Sequence, residues 1–135
     1  MERDIGDILD RWSISFLKKE RIGSEESKKE FEAFTVALAE IRIKCPQFDW
    51  EQLSKFMKDI NDFIWILESG LRSGKEKLNN PFYIMDTENN DTLAKIGLTS
   101  MIIRNFNHLR VSYKNIINKL VGTGFQDQKK DHLSE

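Results

Sequence analysis

The sequence predicts an all-α protein with four helices in a bundle-like, mostly antiparallel arrangement. Apolar residues recur at three- and four-residue spacings through four segments, which is the period of one helical face. No segment shows the alternating pattern of a half-buried strand. The 135 residues include two prolines, Pro46 and Pro81, so long uninterrupted helices are permitted. We predict one bundle domain over residues 1–121 and a polar, partly ordered tail over residues 122–135.

The first predicted helix covers about Asp4 to Ile22, and Gly23 suits the left-handed residue that often follows a helix. A second apolar patch, Ile14 and Leu17, lies opposite the main apolar face of this helix. That main face consists of Ile5, Ile8, Leu9, Trp12 and Phe16.

The second and third helices have clear start signals. Ser24 is a predicted N-cap, and the helix that it begins must end before Pro46. Asp49 is the next N-cap, with Gln52 three residues later as in a capping box, and the segment 79–81 (Asn-Asn-Pro) ends that helix. The second helix has the apolar face Phe31, Phe34, Leu38 and Ile41. The third has Leu53, Phe56, Met57, Ile60, Ile64, Leu67 and Leu71.

The fourth helix follows the polar segment DTENNDT and runs to about Val121, where Gly122 and Gly124 end it. Its predicted core face consists of Leu98, Ile102, Phe106, Leu109, Tyr113, Ile116 and Leu120.

Composition excludes several classes of partner and location. Lys and Arg (21) balance Asp and Glu (22), so no general electrostatic affinity for nucleic acid is predicted. No apolar run is long enough to span a membrane, and the N-terminal residues lack the apolar stretch of a secretory signal. The single cysteine, Cys45, excludes an intrachain disulfide and fits a reducing compartment. We therefore predict a cytoplasmic protein without nucleic-acid or membrane partners.

Catalytic and metal-binding signals are weak. Di-iron bundles use Glu-x-x-His motifs, and neither His108 nor His132 follows a glutamate at that spacing. The segments EESKKE and ENND are similar to the magnesium motifs of all-α nucleotide pyrophosphohydrolases, although the first is one residue too long. We predict no metal and no cofactor, and we favour a non-enzymatic role. The alternative is a magnesium-dependent hydrolase that uses Glu26, Glu30, Glu88 and Asp91.

Polar residues at the edges of the apolar faces are the candidate binding residues. Asn61, Trp65, Glu68 and Arg72 have the spacing of one strip along the third helix. Arg72 and Arg110 would either pair with Glu68 or Glu20 in a partly buried ion network or bind an anionic small molecule. Guanidinium groups bind both carboxylate and phosphate. The remaining candidates at such edges are Arg110 and Lys114 on the fourth helix and Arg11 and Glu20 on the first. Asp10 and Asn107 are candidates because of the family resemblances given below.

These edge residues have several possible roles. We favour packing or a dimer interface over a ligand pocket. An enzyme that transforms an anionic ligand with Glu68, Arg72 and Arg110 remains open, as does binding of a partner protein.

Self-association is predicted because several helices have apolar residues off their main faces. In a small monomeric bundle the second apolar face of a helix would be exposed to solvent, whereas a homodimer would cover it. The residues concerned are Ile14, Leu17, Trp65, Ile66, Ile103 and Val111.

The segment GDILDRWSISFLKKERI resembles the opening of uncharacterised bacterial proteins often encoded among surface-polysaccharide genes. The matching residues are Gly6, Ile8, Asp10, Arg11, Trp12, Ser13, Ile14, Lys18, Glu20, Arg21 and Ile22.

The segments IWILESGLR and IIRNFNHLRVSYKNIINKL are similar to a second helical family of unknown function. That family has a Trp-His-x-Glu-Asp segment with a nearby arginine, followed by an Asn-x-x-Arg helix. Ile66 and Ser69 stand where that family has its histidine and second acid. Together the two resemblances imply a helical accessory protein linked to cell-envelope polysaccharide or to glycosyl transfer. The matching positions are Trp65, Glu68, Arg72, Asn107 and Arg110.

Overall fold

The computed structural model describes residues 4–78 and 88–121. Over these ranges the chain forms four helices, and the predicted all-α, four-helix, bundle-like fold class is confirmed. The predicted tail over residues 122–135 and the predicted stop at residues 79–81 lie outside the described residues. The helices are α1 (Ile5–Arg21), α2 (Glu25–Lys44), α3 (Trp50–Leu78) and α4 (Glu88–Val121).

The helix boundaries follow the local signals in the sequence. Gly23 has φ of 70°, a conformation that glycine adopts without the penalty of a side chain. The Ser24 hydroxyl accepts a hydrogen bond from the Ser27 backbone N–H at 3.1 Å. An Asp49 carboxylate oxygen accepts one from the Gln52 N–H at 3.1 Å. Both side chains therefore satisfy N–H groups that a first helical turn leaves unpaired.

The chain divides into two compact units. Met1–Asn61 together with Arg110–Glu135 form one, which we call the four-helix unit because all four helices contribute to it. Asp62–Leu109 form the other, which we call the two-helix unit because it contains only parts of α3 and α4 among its described residues.

The hydrophobic core of the four-helix unit draws on every helix. Partly buried Ile8, Trp12 and Tyr113 pack against it. The indole N–H of Trp50 donates to the Cys45 carbonyl at 2.8 Å, which fixes the turn between α2 and α3. The buried core residues are Ile5, Leu9, Leu38, Ile41, Trp50, Met57 and Ile117.

The face of α4 that enters the core differs from the predicted one. Ile117 is fully buried, whereas Ile116 is 52% exposed and Leu120 is 60% exposed. Polar contacts explain this rotation, because Lys114 and Asn118 lie on the Ile117 side of the helix and contact the start of α1. In the two-helix unit the predicted core residues Leu98 and Leu109 are exposed as well.

One predicted dimer-interface residue of α1 is buried within the chain. Leu17 is 4% exposed and is therefore covered within the chain. It continues the face of Gly6, Asp10 and Ser13, at spacings of four, three and four residues. α1 thus packs with two faces inside one chain, so Leu17 gives no evidence of a partner, whereas Ile14 is only partly buried.

The two-helix unit buries little apolar surface. Phe63 of α3 stacks on Phe106 of α4 with ring centroids 5.4 Å apart. Ile64 is the one buried hydrophobic residue of this unit among the residues whose burial the structure describes. Its exposed large hydrophobic residues are Phe63, Ile66, Leu93, Leu98, Met101 and Leu109.

Candidate functional site

A buried polar cluster lies in the four-helix unit and is centred on Asp10 of α1. The Asp10 side chain is 5% exposed, and its Oδ1 accepts a hydrogen bond from Asn61 Nδ2 at 2.8 Å. The same amide nitrogen donates to Ser13 Oγ at 2.7 Å. Ser13 in turn donates to the Asp10 carbonyl at 2.7 Å. These bonds connect α1 to α3 in a region with little access to water.

Two cations of α4 complete the polar cluster. Arg110 Nε lies 3.7 Å from Asp10 Oδ1, and Lys114 Nζ lies 3.8 Å from Asp10 Oδ2. Lys114 also contacts Asp7 Oδ1 at 3.3 Å. The Arg110 Nε is buried without a hydrogen-bond partner among the described residues, because 3.7 Å exceeds hydrogen-bond distance.

α1 approaches α4 closely because residue 6 is glycine. The Gly6 backbone N–H donates to Asn118 Oδ1 at 2.7 Å. A Cβ added to Gly6 would lie 2.5 Å from the Lys114 carbonyl oxygen, so any larger residue would force the helices apart. Gly6, Asp10 and Ser13 all match the first resemblance, and their i, i+4, i+7 spacing was the available signal for this shared face. The contacts that Gly6, Ser13 and Asn118 make between helices were not predicted from the sequence.

The polar cluster has the properties of a packing element. Asp7 and Asp10 face Arg110 and Lys114, so two negative charges meet two positive charges. Removing one member of such a buried network leaves its partner unpaired, which costs far more than an exposed ion pair contributes. The geometry therefore favours the packing interpretation for Asp10, Asn61, Arg110 and Lys114.

The remaining candidates of α1 lie at the surface. Arg11 Nε is 3.6 Å from Asp7 Oδ1, with half of the arginine side chain exposed. Glu20 pairs with Lys19 at 3.3 Å and is also half exposed. Neither side chain takes part in the hydrogen bonds around Asp10 that the structure describes.

The other four candidates belong to the two-helix unit. Trp65 and Asn107 are partly buried there, whereas Glu68 and Arg72 are exposed. The Arg72 guanidinium donates to Ser69 Oγ at 3.4 Å, a long contact at the surface.

The acidic residues of the magnesium hypothesis are only partly described. Glu30 is 3.6 Å from Lys18 Nζ, an exposed ion pair between α2 and α1. Among the described residues, no three potential metal ligands come together. The side chains of Glu88 and Asp91 lie outside the described residues, and the hydrolase alternative stays a prediction.

The exposed apolar residues of the two-helix unit form the second candidate site. Phe63 and Ile66 are 54% and 56% exposed on α3. Gly70 lies on the same side of the helix, and no atom lies within 4 Å of a Cβ added to it. On α4, Leu98, Met101 and Leu109 lie on one side of the helix. The position between Met101 and Leu109 on that side is the uncharged Asn105. We call Phe63, Ile66, Leu98, Met101 and Leu109 the apolar surface of the two-helix unit.

The comparisons with known proteins add no relative: no family model, no curated protein and no solved structure matches the chain. None of the four helices, over the residues described, is both long enough and apolar enough to cross a membrane.

Proposed function

We propose that the protein is a cytoplasmic interaction module that forms a homodimer through the apolar surface of its two-helix unit. The observation that carries this proposal is the imbalance within that unit: among the residues whose burial is described, six large hydrophobic residues are exposed and one, Ile64, is buried. Exposed apolar surface of this kind is typical of protein–protein contact sites. The sequence already favoured a homodimer, and Ile66 is common to both arguments.

A second copy is the partner that the unit fits best. Two helices cannot enclose a core, but two copies of a two-helix unit supply the four helices of a bundle. A two-fold axis places the same surface on both partners, so the surface must suit itself. The apolar positions of α3 and α4 carry no fixed charge that would require an oppositely charged partner. An accessory role linked to cell-envelope polysaccharide rests on the sequence resemblances alone.

The test measures solution mass by light scattering at several protein concentrations, with Ile66→Lys as the disrupting variant. Ile43→Lys is the matched control, because it makes the same substitution at an exposed isoleucine of α2 in the other unit (78% exposed). We expect the wild type and Ile43→Lys to have twice the chain mass of 15.9 kDa. Ile66→Lys should have the mass of a single chain over the same concentrations.

The expected effect follows from the exposed half of Ile66. Burying it contributes roughly 1 kcal/mol per copy, hence about 2 kcal/mol in a two-fold dimer. Its loss raises the dissociation constant about 30-fold, and burying the lysine ammonium raises it further. If the wild type is a monomer throughout, or if Ile43→Lys dissociates the dimer and Ile66→Lys does not, this surface is not the interface.

A further inference from the structure

A groove between α2 and α3 forms a cavity of about 350 Å³ in the four-helix unit. Its two walls are helical faces: Phe31, Leu38 and Arg42 follow helical spacing on α2, and Ser54 and Lys58 do so on α3. The volume lies within the range of small-molecule sites. None of these residues takes part in the polar cluster or the two-helix unit.

The floor of the groove is aromatic and aliphatic. Trp12 of α1 lies partly exposed at the base, with its ring centroid 6.1 Å from that of Phe31. Leu38 is 4% exposed beside them. Such a floor favours an apolar chain or ring over a sugar or another strongly hydrated molecule.

The rim of the groove carries an excess of positive charge. Arg42 forms no ion pair with any residue that the structure describes. Lys58 holds its ammonium 4.9 Å from the centroid of the Phe16 ring, without a described carboxylate partner. Lys55 also lines the groove but is paired with Asp59 at 2.9 Å. Glu51 is the single acid among the lining residues, so the rim attracts anions on balance.

We propose that this groove binds a small amphipathic anion, an apolar chain or ring that ends in one carboxylate or an equivalent acidic group. The apolar body would lie on Trp12 and Leu38. The acidic head would lie against Arg42 or Lys58. Both parts are needed, because the floor supplies burial and the rim supplies charge complementarity. This binding is independent of the proposed dimer, since the lining residues all belong to the four-helix unit.

The test titrates the protein with decanoate and, separately, with decylamine, which has the same chain length and the opposite charge. Binding is followed by NMR through the indole N–H signals of the three tryptophans, with Trp12 assigned by its loss in Trp12→Phe. The Trp50 indole, already bonded to the Cys45 carbonyl, serves as an internal reference. We expect decanoate, and not decylamine, to shift the Trp12 signal at concentrations below about 1 mM.

Two matched pairs of variants locate the site. Ala39→Trp fills the groove without changing charge, and Ala33→Trp adds the same bulk to an exposed site of α2 outside the lining. The double variant Arg42→Gln, Lys58→Gln removes the cations of the rim. Its control, Lys29→Gln with Lys44→Gln, removes two exposed charges of α2 that do not line the groove. Circular dichroism confirms that each variant is folded.

The expected result is that Ala39→Trp abolishes the shift of Trp12 and the double variant of the rim weakens decanoate binding about tenfold. Both controls should bind as the wild type does. A wild type without any Trp12 shift overturns the proposal, as does decanoate binding that Ala39→Trp leaves unchanged. Equal binding of decylamine, or an unchanged affinity in the double variant of the rim, refutes the assignment of an anionic ligand.

Discussion

Replacing Gly6 by alanine tests the close approach of α1 and α4. The added Cβ would lie 2.5 Å from the Lys114 carbonyl oxygen and 3.0 Å from two further backbone atoms of that residue. Backbone atoms cannot rotate away as a side chain can, so the helices must separate. Separation also stretches the bond between the Gly6 N–H and Asn118 Oδ1, now 2.7 Å long.

The net destabilisation is the sum of three terms. Overpacking costs typically 1–3 kcal/mol, and the weakened hydrogen bond costs about 1 kcal/mol. The better helix propensity of alanine offsets roughly 1 kcal/mol. We expect Gly6→Ala to lose about 2 kcal/mol of unfolding free energy, and hence roughly 8 °C in the thermal midpoint of a chain of this size.

Gly97→Ala is the matched control because no atom lies within 4 Å of the Cβ that it would add. Only the propensity term then acts, so this variant should gain about 0.5–1 kcal/mol. Urea unfolding of both variants and the wild type, at one protein concentration, measures the two changes. A Gly6→Ala variant as stable as the wild type would contradict the close approach on which the docking of α1 depends.

Two further predictions concern polar groups of the four-helix unit. Asn61→Ala should cost about 2–3 kcal/mol in urea unfolding, because the buried Asp10 carboxylate loses its amide donor; a loss below about 1 kcal/mol would show that this donor is dispensable. Burial raises the pKa of Tyr113 to about 12, while its hydroxyl donates to the Leu53 carbonyl at 3.1 Å. The folded state favours the protonated hydroxyl. Its contribution to the free energy of unfolding is therefore complete below pH 10 and is lost as the pH rises to 12. The unfolding free energies of the wild type and Tyr113→Phe should therefore converge between these pH values. If the two free energies instead differ by a constant amount from pH 10 to pH 12, the pKa of Tyr113 is not raised by folding.

Local signals made the helices predictable, but not the rotation of α4. The caps at Ser24 and Asp49 depend on neighbours three residues away, which the sequence displays directly. α4 has apolar residues at both Ile116 and Ile117, so periodicity alone permits either edge to enter the core. The choice depends on contacts such as that between Gly6 and Asn118, which are 112 residues apart in the chain.

The members of the polar cluster were easier to predict than their pairing. Arg110 was identified as a candidate from its place beside an apolar face, and Asp10 from the first family resemblance. The sequence suggested Glu68 or Glu20 as the acid beside the arginine, whereas the structure places Asp10 there. Spacing fixes which side of its own helix a residue occupies. It does not fix which neighbouring helix that side will meet.

The two units differ in what each can stabilise by itself. The four-helix unit has a core and a buried polar cluster in which Asp10 contacts Asn61, Arg110 and Lys114, an arrangement that favours one register of α1 against α3 and α4. The described residues of the two-helix unit form no such core or cluster, and helices in proteins owe most of their stability to the packing of an apolar face. If a second copy covers it, the free energy of association adds to the folding of that unit. Folding and dimerisation of residues 62–109 would then be one coupled process.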